Sequence, residues 1–174
     1  MHLSRAIDDH RAAMKLFVDA LGAVSRSAWN EPRAPGKWSP AEVAEHLVLT
    51  YEAVLKELSG DPAMRLKLSS VRRRVLKWFL LPHILFHRSF PLAAVSPREL
   101  RPSSGAISQE DVGPKLLDLA SRFEDAMSLA VTSGAAGVTH PYFGTIPPLR
   151  ALRFITVHLE HHTRQIPAGE AATG

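Results

Sequence analysis

The feature that most constrains the fold is a regular spacing of apolar side chains that recurs along the chain. In the first segment, alternating steps of four and three residues connect the side chains of Leu3, Ile7, His10, Met14, Phe17, Leu21, Val24 and Ala28. This spacing places them on one face of an α-helix and predicts an amphipathic helix that ends before Asn30. No segment alternates convincingly between apolar and polar residues, and no Asn-Gly or Asp-Gly turn is present, so strands are not expected.

A second helix has the clearest start. Ser39, Pro40 and Glu42 form the pattern of a capping box, in which a serine N-cap and a glutamate three residues later satisfy each other's backbone N–H groups. The apolar spacing then continues to Ser59, and Gly60 is a suitable stop.

Three further segments complete the helical pattern. We predict amphipathic helices at 64–81, 108–133 and 148–166, with an irregular, proline-rich crossover at 82–104. Four long helices and one long connection predict an all-α fold. We expect a four-helix bundle with a long crossover connection carrying one or two extra helices.

Length and composition bound the domain organisation and the chemistry. A chain of 174 residues is typical of one domain, which we place at 1–166, with a flexible C-terminal tail at 167–174. The chain has no cysteine, which excludes disulfides, zinc-thiolate sites and a cysteine nucleophile. The N-terminal residues do not resemble a secretory signal, and the most apolar stretch, 75–86, is too short for a transmembrane segment. We therefore expect a cytoplasmic protein.

The positive charge is concentrated in one segment. Eight Lys or Arg residues and no acid lie between Pro62 and Arg98, so the remainder of the chain is net negative. A basic helix with Trp78 and Phe79 can contact an anionic membrane surface or a nucleic acid through residues 65–88. It can also recognise an anionic substrate. We favour a solvated helix whose apolar side covers the bundle, beneath the basic side chains, and we expect no nucleic-acid partner.

The nine histidines suggest a metal site. His158 and His162 are separated by one helical turn, which places both rings on one face, where they can share an ion. The helical phase puts them on the inner side of the last helix and His161 at its border, although His161 can replace either neighbour if that helix is rotated.

His46 lies at the edge of the core-facing side of the second helix and is a candidate third ligand, although taken alone it reads better as a buried, hydrogen-bonded histidine. Three histidines would leave a coordination position open for water or substrate, and they suit Zn, Ni, Fe or Cu. Since the ligands must be neutral, we expect metal occupancy to fall below about pH 6.

Other histidines are interpreted structurally. We expect His10 at the edge of the core and His140 in a packing or capping role, while Pro82 weakens His83 and His87 as a metal pair. Tyr51 and Gln165 are candidates for orienting the ligands.

Three motifs in order resemble those of the DinB/YfiT-like superfamily. They are Trp38-Ser39-Pro40-Ala41-Glu42-Val43-Ala44-Glu45-His46-Leu47, then His140-Pro141-Tyr142-Phe143-Gly144, and lastly 158–166, which reads HLEHHTRQI. The resemblance covers roughly residues 3–166 and implies a four-helix bundle with a divalent metal bound by His46, His158 and His162.

The resemblance implies several different activities. Related proteins include transferases and isomerases that use a low-molecular-weight thiol, so a metal-dependent transferase, isomerase or hydrolase acting on a small molecule is one hypothesis. A thiol would have to be a cosubstrate, because the chain has no cysteine. A non-enzymatic, stress-related metal-binding bundle is the alternative, and the family's habit favours a homodimer.

Overall fold

The computed structural model describes residues 2–61, 65, 68–91, 96–103 and 107–167. Within these ranges the chain is mostly helical, as predicted. The elements are α1 (Leu3–Gly22), α2 (Pro40–Leu58), α3 (Ser70–His87), a 3₁₀ turn (Arg98–Leu100), α4 (Gln109–Thr132), β1 (Val138–His140), β2 (Gly144–Ile146) and α5 (Pro148–Thr163). The predicted tail lies outside the described residues from residue 168 onward.

The helix starts follow the capping signals in the sequence. The Ser39 hydroxyl accepts a hydrogen bond from the backbone N–H of Glu42 at 3.2 Å, and the Glu42 carboxylate accepts one from the N–H of Ser39 at 2.8 Å. Ser108 caps α4 by accepting from the N–H of Asp111. Both caps confirm the predicted starts, because these side chains satisfy N–H groups that have no partner inside the helix.

Two helix ends differ from the prediction. α1 ends at Gly22, well before Asn30, and the chain continues in turns that keep Val24 and Trp29 buried. The apolar spacing in the sequence continues past the end of α1, because residues of the following turns also pack into the core. α5 ends at Thr163 rather than at Ile166.

α3 continues where an irregular crossover was predicted. It passes through Pro82 and ends at His87. Its predicted start at Met64 lies outside the described residues, but Leu68 and Ser69 are not helical, so α3 begins later than predicted, at Ser70. Proline removes the helical hydrogen bond to the carbonyl four residues earlier, here that of Trp78. Both Pro82 and Trp78 are exposed, so water can hydrate that carbonyl.

A small antiparallel sheet was not expected from the sequence. β1 and β2 pair with Val138 opposite Ile146 and His140 opposite Gly144. Strands of three residues are too short to show an alternating pattern. The hairpin also depends on Gly137, which has a φ of 127°; a Cβ there would lie 2.0 Å from the carbonyl oxygen of Ile146.

The helices pack around one apolar core. α1 packs against α4 and α5, α2 packs against α4, and α3 packs against α5 and β2. Core side chains without exposed surface come from all five helices and include Phe17, Leu47, Leu81, Phe123 and Leu152. The 3₁₀ turn packs on α2, which brings the backbone of Leu100 next to His46. Among the described residues, no helix is both long enough and apolar enough to cross a membrane.

Candidate metal centre

Three histidines from α2 and α5 converge at one point. The Nε2 atom of His158 lies 3.4 Å from Nε2 of His46 and 3.0 Å from Nε2 of His162. Each ring offers a nitrogen within 4.8 Å of the others, a spacing at which all three can hold the same ion. His46 and His162 are buried and His158 is half-buried. The three residues singled out in the sequence are thus brought together.

Hydrogen bonds on the far side of two rings orient their free nitrogens. Nδ1–H of His46 donates to the backbone carbonyl of Leu100 at 2.7 Å, and Nδ1–H of His162 donates to Oε1 of Gln165 at 2.8 Å. With Nδ1 protonated, Nε2 carries a lone pair, which is the form that binds a metal. Such acceptors fix the tautomer and the ring orientation of metal-binding histidines. Gln165 therefore contacts a candidate ligand, the position that an orienting role requires.

The third histidine, His158, differs from the other two in the hydrogen bonding of its Nδ1 atom. Nδ1 of His158 is buried and has no hydrogen-bond partner among the described residues, while its Nε2 faces the lone pairs of the other two rings. Buried polar atoms are nearly always paired, so this ring is in an unusual position. A cation placed among the three Nε2 atoms would satisfy nitrogens that otherwise face one another, so the donor set fits a transition metal.

Burial keeps these rings neutral. It lowers the pKa of His158 well below the ordinary value of 6.5, and the facing imidazoles of His162 and His46 lower it further. The pKa of His162 is lowered well below 6.5 by burial and by His46, and that of His46 is lowered mainly by burial. Proton competition with a metal therefore begins at a more acidic pH than the value of about 6 expected for unperturbed histidines.

His161 lies beside the group rather than in it. Its Nε2 accepts a hydrogen bond from the side-chain amide of Gln165 at 2.9 Å, and Phe90 lies against its ring. The side-chain oxygen of Gln165 therefore contacts His162, and its side-chain nitrogen contacts His161. Burial lowers the pKa of His161, with further lowering by Arg164 and Arg33.

Trp38 is a site residue whose contact with the histidines was not predicted. Its ring lies 4.9 Å from that of His46 and stacks with that of His162 at 6.4 Å, measured between centroids. The tryptophan directly precedes the α2 cap, so the same turn that starts the helix also covers two of the three rings. The sequence signal that could have indicated this contact was the position of Trp38 within the first motif.

The three histidines line a large cavity of about 1090 Å³. Its walls are mainly apolar, with Phe90, Phe143 and Phe154 among the aromatic residues. Three cations, Arg33, Lys37 and Arg101, also line it, and the described lining residues include no Asp or Glu. A cavity of this volume fits a small organic molecule, and its charges favour an anionic group on that molecule.

His140 lines the same cavity and packs as expected. Its Nδ1 accepts a hydrogen bond from the backbone N–H of Tyr142 at 3.2 Å, and its ring stacks on Phe143. Burial lowers the pKa of His140 to about 3, so it is neutral at physiological pH.

A second polar cluster lies inside the helical core. Nδ1 of His10 is 2.8 Å from the Glu124 carboxylate and Nε2 is 2.7 Å from the Tyr51 hydroxyl, while Arg11 donates to the other Glu124 oxygen at 2.7 Å. His10 is therefore fully buried rather than at the edge of the core. The hypothesis that Tyr51 orients a metal ligand is wrong, because its hydroxyl contacts His10.

The remaining histidine pair offers no comparable site. His83 and His87 are neighbours on α3, with ring centroids 4.3 Å apart, and both are exposed. In the described part of the chain, only His46, His158 and His162 form a group of three residues able to hold an ion.

These features define a mostly helical protein with a histidine triad in a largely apolar cavity. The chain belongs to the DinB superfamily, whose family model matches residues 6–166. The family is metal-binding, which agrees with the triad. Neither the comparison with curated proteins nor that with solved structures finds a match for this chain.

Proposed function

We propose that His46, His158 and His162 bind one divalent transition metal, such as Zn, Ni or Fe, and that the protein acts on a small molecule in the adjoining cavity. The observation that carries the proposal is the convergence of three Nε2 atoms, two of them fixed as lone-pair donors by Leu100 and Gln165. Three protein ligands leave a position for substrate or water, as catalytic sites do.

The reaction class that fits is a metal-assisted transfer, isomerisation or hydrolysis. When bound, a divalent ion supplies Lewis acidity, which lets a thiol or water lose its proton near neutral pH. The chain supplies no thiol, so a thiol nucleophile would be a low-molecular-weight cosubstrate. Arg33, Lys37 and Arg101 would bind an anionic group, while Phe90 and Phe154 would exclude water from the ligands.

The finer architecture is part of the proposal. We assign α1, α2, α4 and α5 to the four-helix bundle, with α3 in the crossover, and residues 1–166 to a single domain. The contacts of α1 with α4 and α5, and of α2 with α4, support this assignment. A homodimer and a cytoplasmic location remain our expectations from the sequence.

The direct test is thiol binding by the metal-loaded protein. Zinc-loaded wild type and metal-free His158→Ala are titrated with low-molecular-weight thiols by calorimetry. We expect a thiol to bind the loaded wild type and to bind the variant at least about tenfold more weakly, because the metal interaction is lost. If zinc binds and no thiol does, the transferase version is wrong and a hydrolase or a non-enzymatic metal-binding role replaces it.

A further inference from the structure

α3 has an apolar face that the rest of the described chain does not cover. Five of its large apolar side chains are between 51% and 81% exposed: Val71, Val75, Trp78, Phe79 and Phe86. Exposed Pro82 lies among them. At 100° per residue the six fall within an arc of about 100°, which we call the α3 stripe. The expectation that this apolar side covers the bundle is therefore wrong.

A different face of α3 packs on the domain. Leu81, Ile84 and Leu85 are buried, and Leu76, Leu80 and Ile84 line the cavity. Since the helix already has a packed side, the stripe is a second, separate apolar face. Contiguous exposed patches of this kind mark interaction sites.

The basic residues of α3 divide into two sets. Lys77 donates to the carbonyl of Thr145 in β2, and Arg73 donates to that of Leu68, just before α3, so both cations already contact a backbone carbonyl. Arg72 lies about 20° beyond one edge of the stripe and Arg74 about 40° beyond the other. Both are exposed and form no ion pair with any residue that the structure describes.

An apolar arc with arginines along both edges matches a helix lying in a membrane interface. Phe and Trp side chains enter the boundary between headgroups and acyl chains, while arginines at the edges meet anionic headgroups. The net positive charge of this segment also favours an anionic membrane surface as the partner, because no Asp or Glu occurs between Pro62 and Arg98. A second copy packed through the same face would bring its own Arg72 and Arg74 against these arginines, with no acid in α3 to offset them.

We propose that α3 docks the protein on an anionic bilayer surface, with the α3 stripe inserted and Arg72 and Arg74 on the headgroups. The helix lies in the plane of the interface and does not span the membrane. Because Leu76, Leu80 and Ile84 on the other faces of α3 line the cavity, docking places one cavity wall beside the bilayer. The proposal is independent of the metal centre.

The test is binding of the full-length protein to phosphatidylglycerol vesicles and to phosphatidylcholine vesicles. We expect cosedimentation with the anionic vesicles that weakens as salt is added. Phe79→Ser should lower the partition coefficient by at least about tenfold. Exchanging both Arg72 and Arg74 for Gln should lower it by about tenfold or more. A blue shift of tryptophan emission on binding should disappear in Trp78→Phe.

Matched controls come from α4. Leu129 is 68% exposed and Arg122 is also exposed, so Leu129→Ser and Arg122→Gln change apolar area and charge away from α3. We expect both control variants to bind the anionic vesicles as tightly as the wild type does. The helical circular dichroism should be unchanged in every variant. Wild type that fails to bind anionic vesicles overturns the proposal, as does equal loss in the α4 controls.

Two other outcomes would show that the α3 region binds something other than a membrane, and both overturn the proposal. One is self-association in sedimentation that Phe79→Ser abolishes, without vesicle binding. The other is binding of a single-stranded oligonucleotide through Arg72 and Arg74, again without vesicle binding. Metal content, measured in the same samples, reports separately on the proposed function.

Discussion

At the scale of single residues, the orientation of two of the three imidazoles depends on two oxygen acceptors. The Leu100 carbonyl holds His46, and the Gln165 side chain holds His162. A backbone carbonyl cannot be removed by substitution, so Gln165 is the acceptor that mutation can test.

Replacing Gln165 with Leu should weaken metal binding by about 10–100-fold, because Nδ1 of His162 loses its acceptor and the ring loses its fixed tautomer. Competition with a fluorescent zinc chelator measures the affinity. Gln165→Glu is the matched control, since its carboxylate can still accept from His162, and its affinity should stay near that of wild type. Equal affinity in Gln165→Leu and wild type would exclude an orienting role.

The buried Glu124 predicts a pH-dependent contribution to stability. Burial alone would raise its pKa, but hydrogen bonds from His10 and Arg11 lower the pKa below the ordinary value of 4.5. A carboxylate with a depressed folded-state pKa contributes stability that is complete above its unfolded pKa and is lost as the pH falls through the folded one.

Glu124→Gln should therefore lower the free energy of unfolding by about 1–3 kcal/mol at neutral pH, because a charged acceptor of two hydrogen bonds is lost. The difference from wild type should shrink as the pH falls below 4.5. Urea unfolding at several pH values measures it, and Asp118→Asn, at an exposed ion pair, is the control. A difference that persists unchanged into acid would contradict this assignment.

The residue scale also shows what the sequence could predict. The spacing of His158 and His162, together with helical phase, identified the inward-facing rings, because these depend only on local geometry. The acceptor for His46 could not be predicted, because Leu100 is distant in sequence and reaches α2 through a 3₁₀ turn. Likewise, the pairing of His10 with Glu124 joins helices whose relative placement the sequence does not encode locally.

At the scale of elements, α2 carries His46 and begins at a complete capping box. Ser39→Ala should lower the free energy of unfolding by about 1 kcal/mol, because the N–H of Glu42 loses its acceptor. Thermal or urea unfolding measures this, with Ser39→Asp as the control that keeps a capping oxygen. Metal stoichiometry should not change, since His46 lies further along the helix. A Ser39→Ala protein as stable as wild type would show that the cap is unimportant.

Elements with strong local signals were predicted and those without were not. The capping box identified the start of α2, and the apolar spacing placed the start of α4 at Ser108, which caps that helix. The β1–β2 hairpin depends on the close approach of Gly137 to Ile146, a contact that has no local pattern. α3 was predicted as amphipathic, but its spacing could not distinguish a face turned to the core from one turned outward.

At the scale of the whole molecule, helix packing creates a cavity that no single segment predicts. α2, α3, α5 and the β hairpin all contribute to its walls, and the histidine triad lies in that wall. The sequence showed that positive charge is concentrated at 62–98, whereas the fold adds Arg33, Lys37 and Arg101 around the cavity. A metal ion at the triad would make the cavity more positive still, which strengthens the preference for anionic ligands.

The proposed metal site consists of His46, His158 and His162, which together bind one ion. The most direct measurement is the metal content of wild type and of single His→Ala variants, purified without nickel resin or chelator and then loaded with zinc. We predict a single tightly bound ion in wild type and in His161→Ala, and almost none in His46→Ala, His158→Ala or His162→Ala, all with unchanged helical circular dichroism. Loss of the ion in His161→Ala with retention in His162→Ala would contradict the assignment, and so would a wild-type protein that binds no zinc.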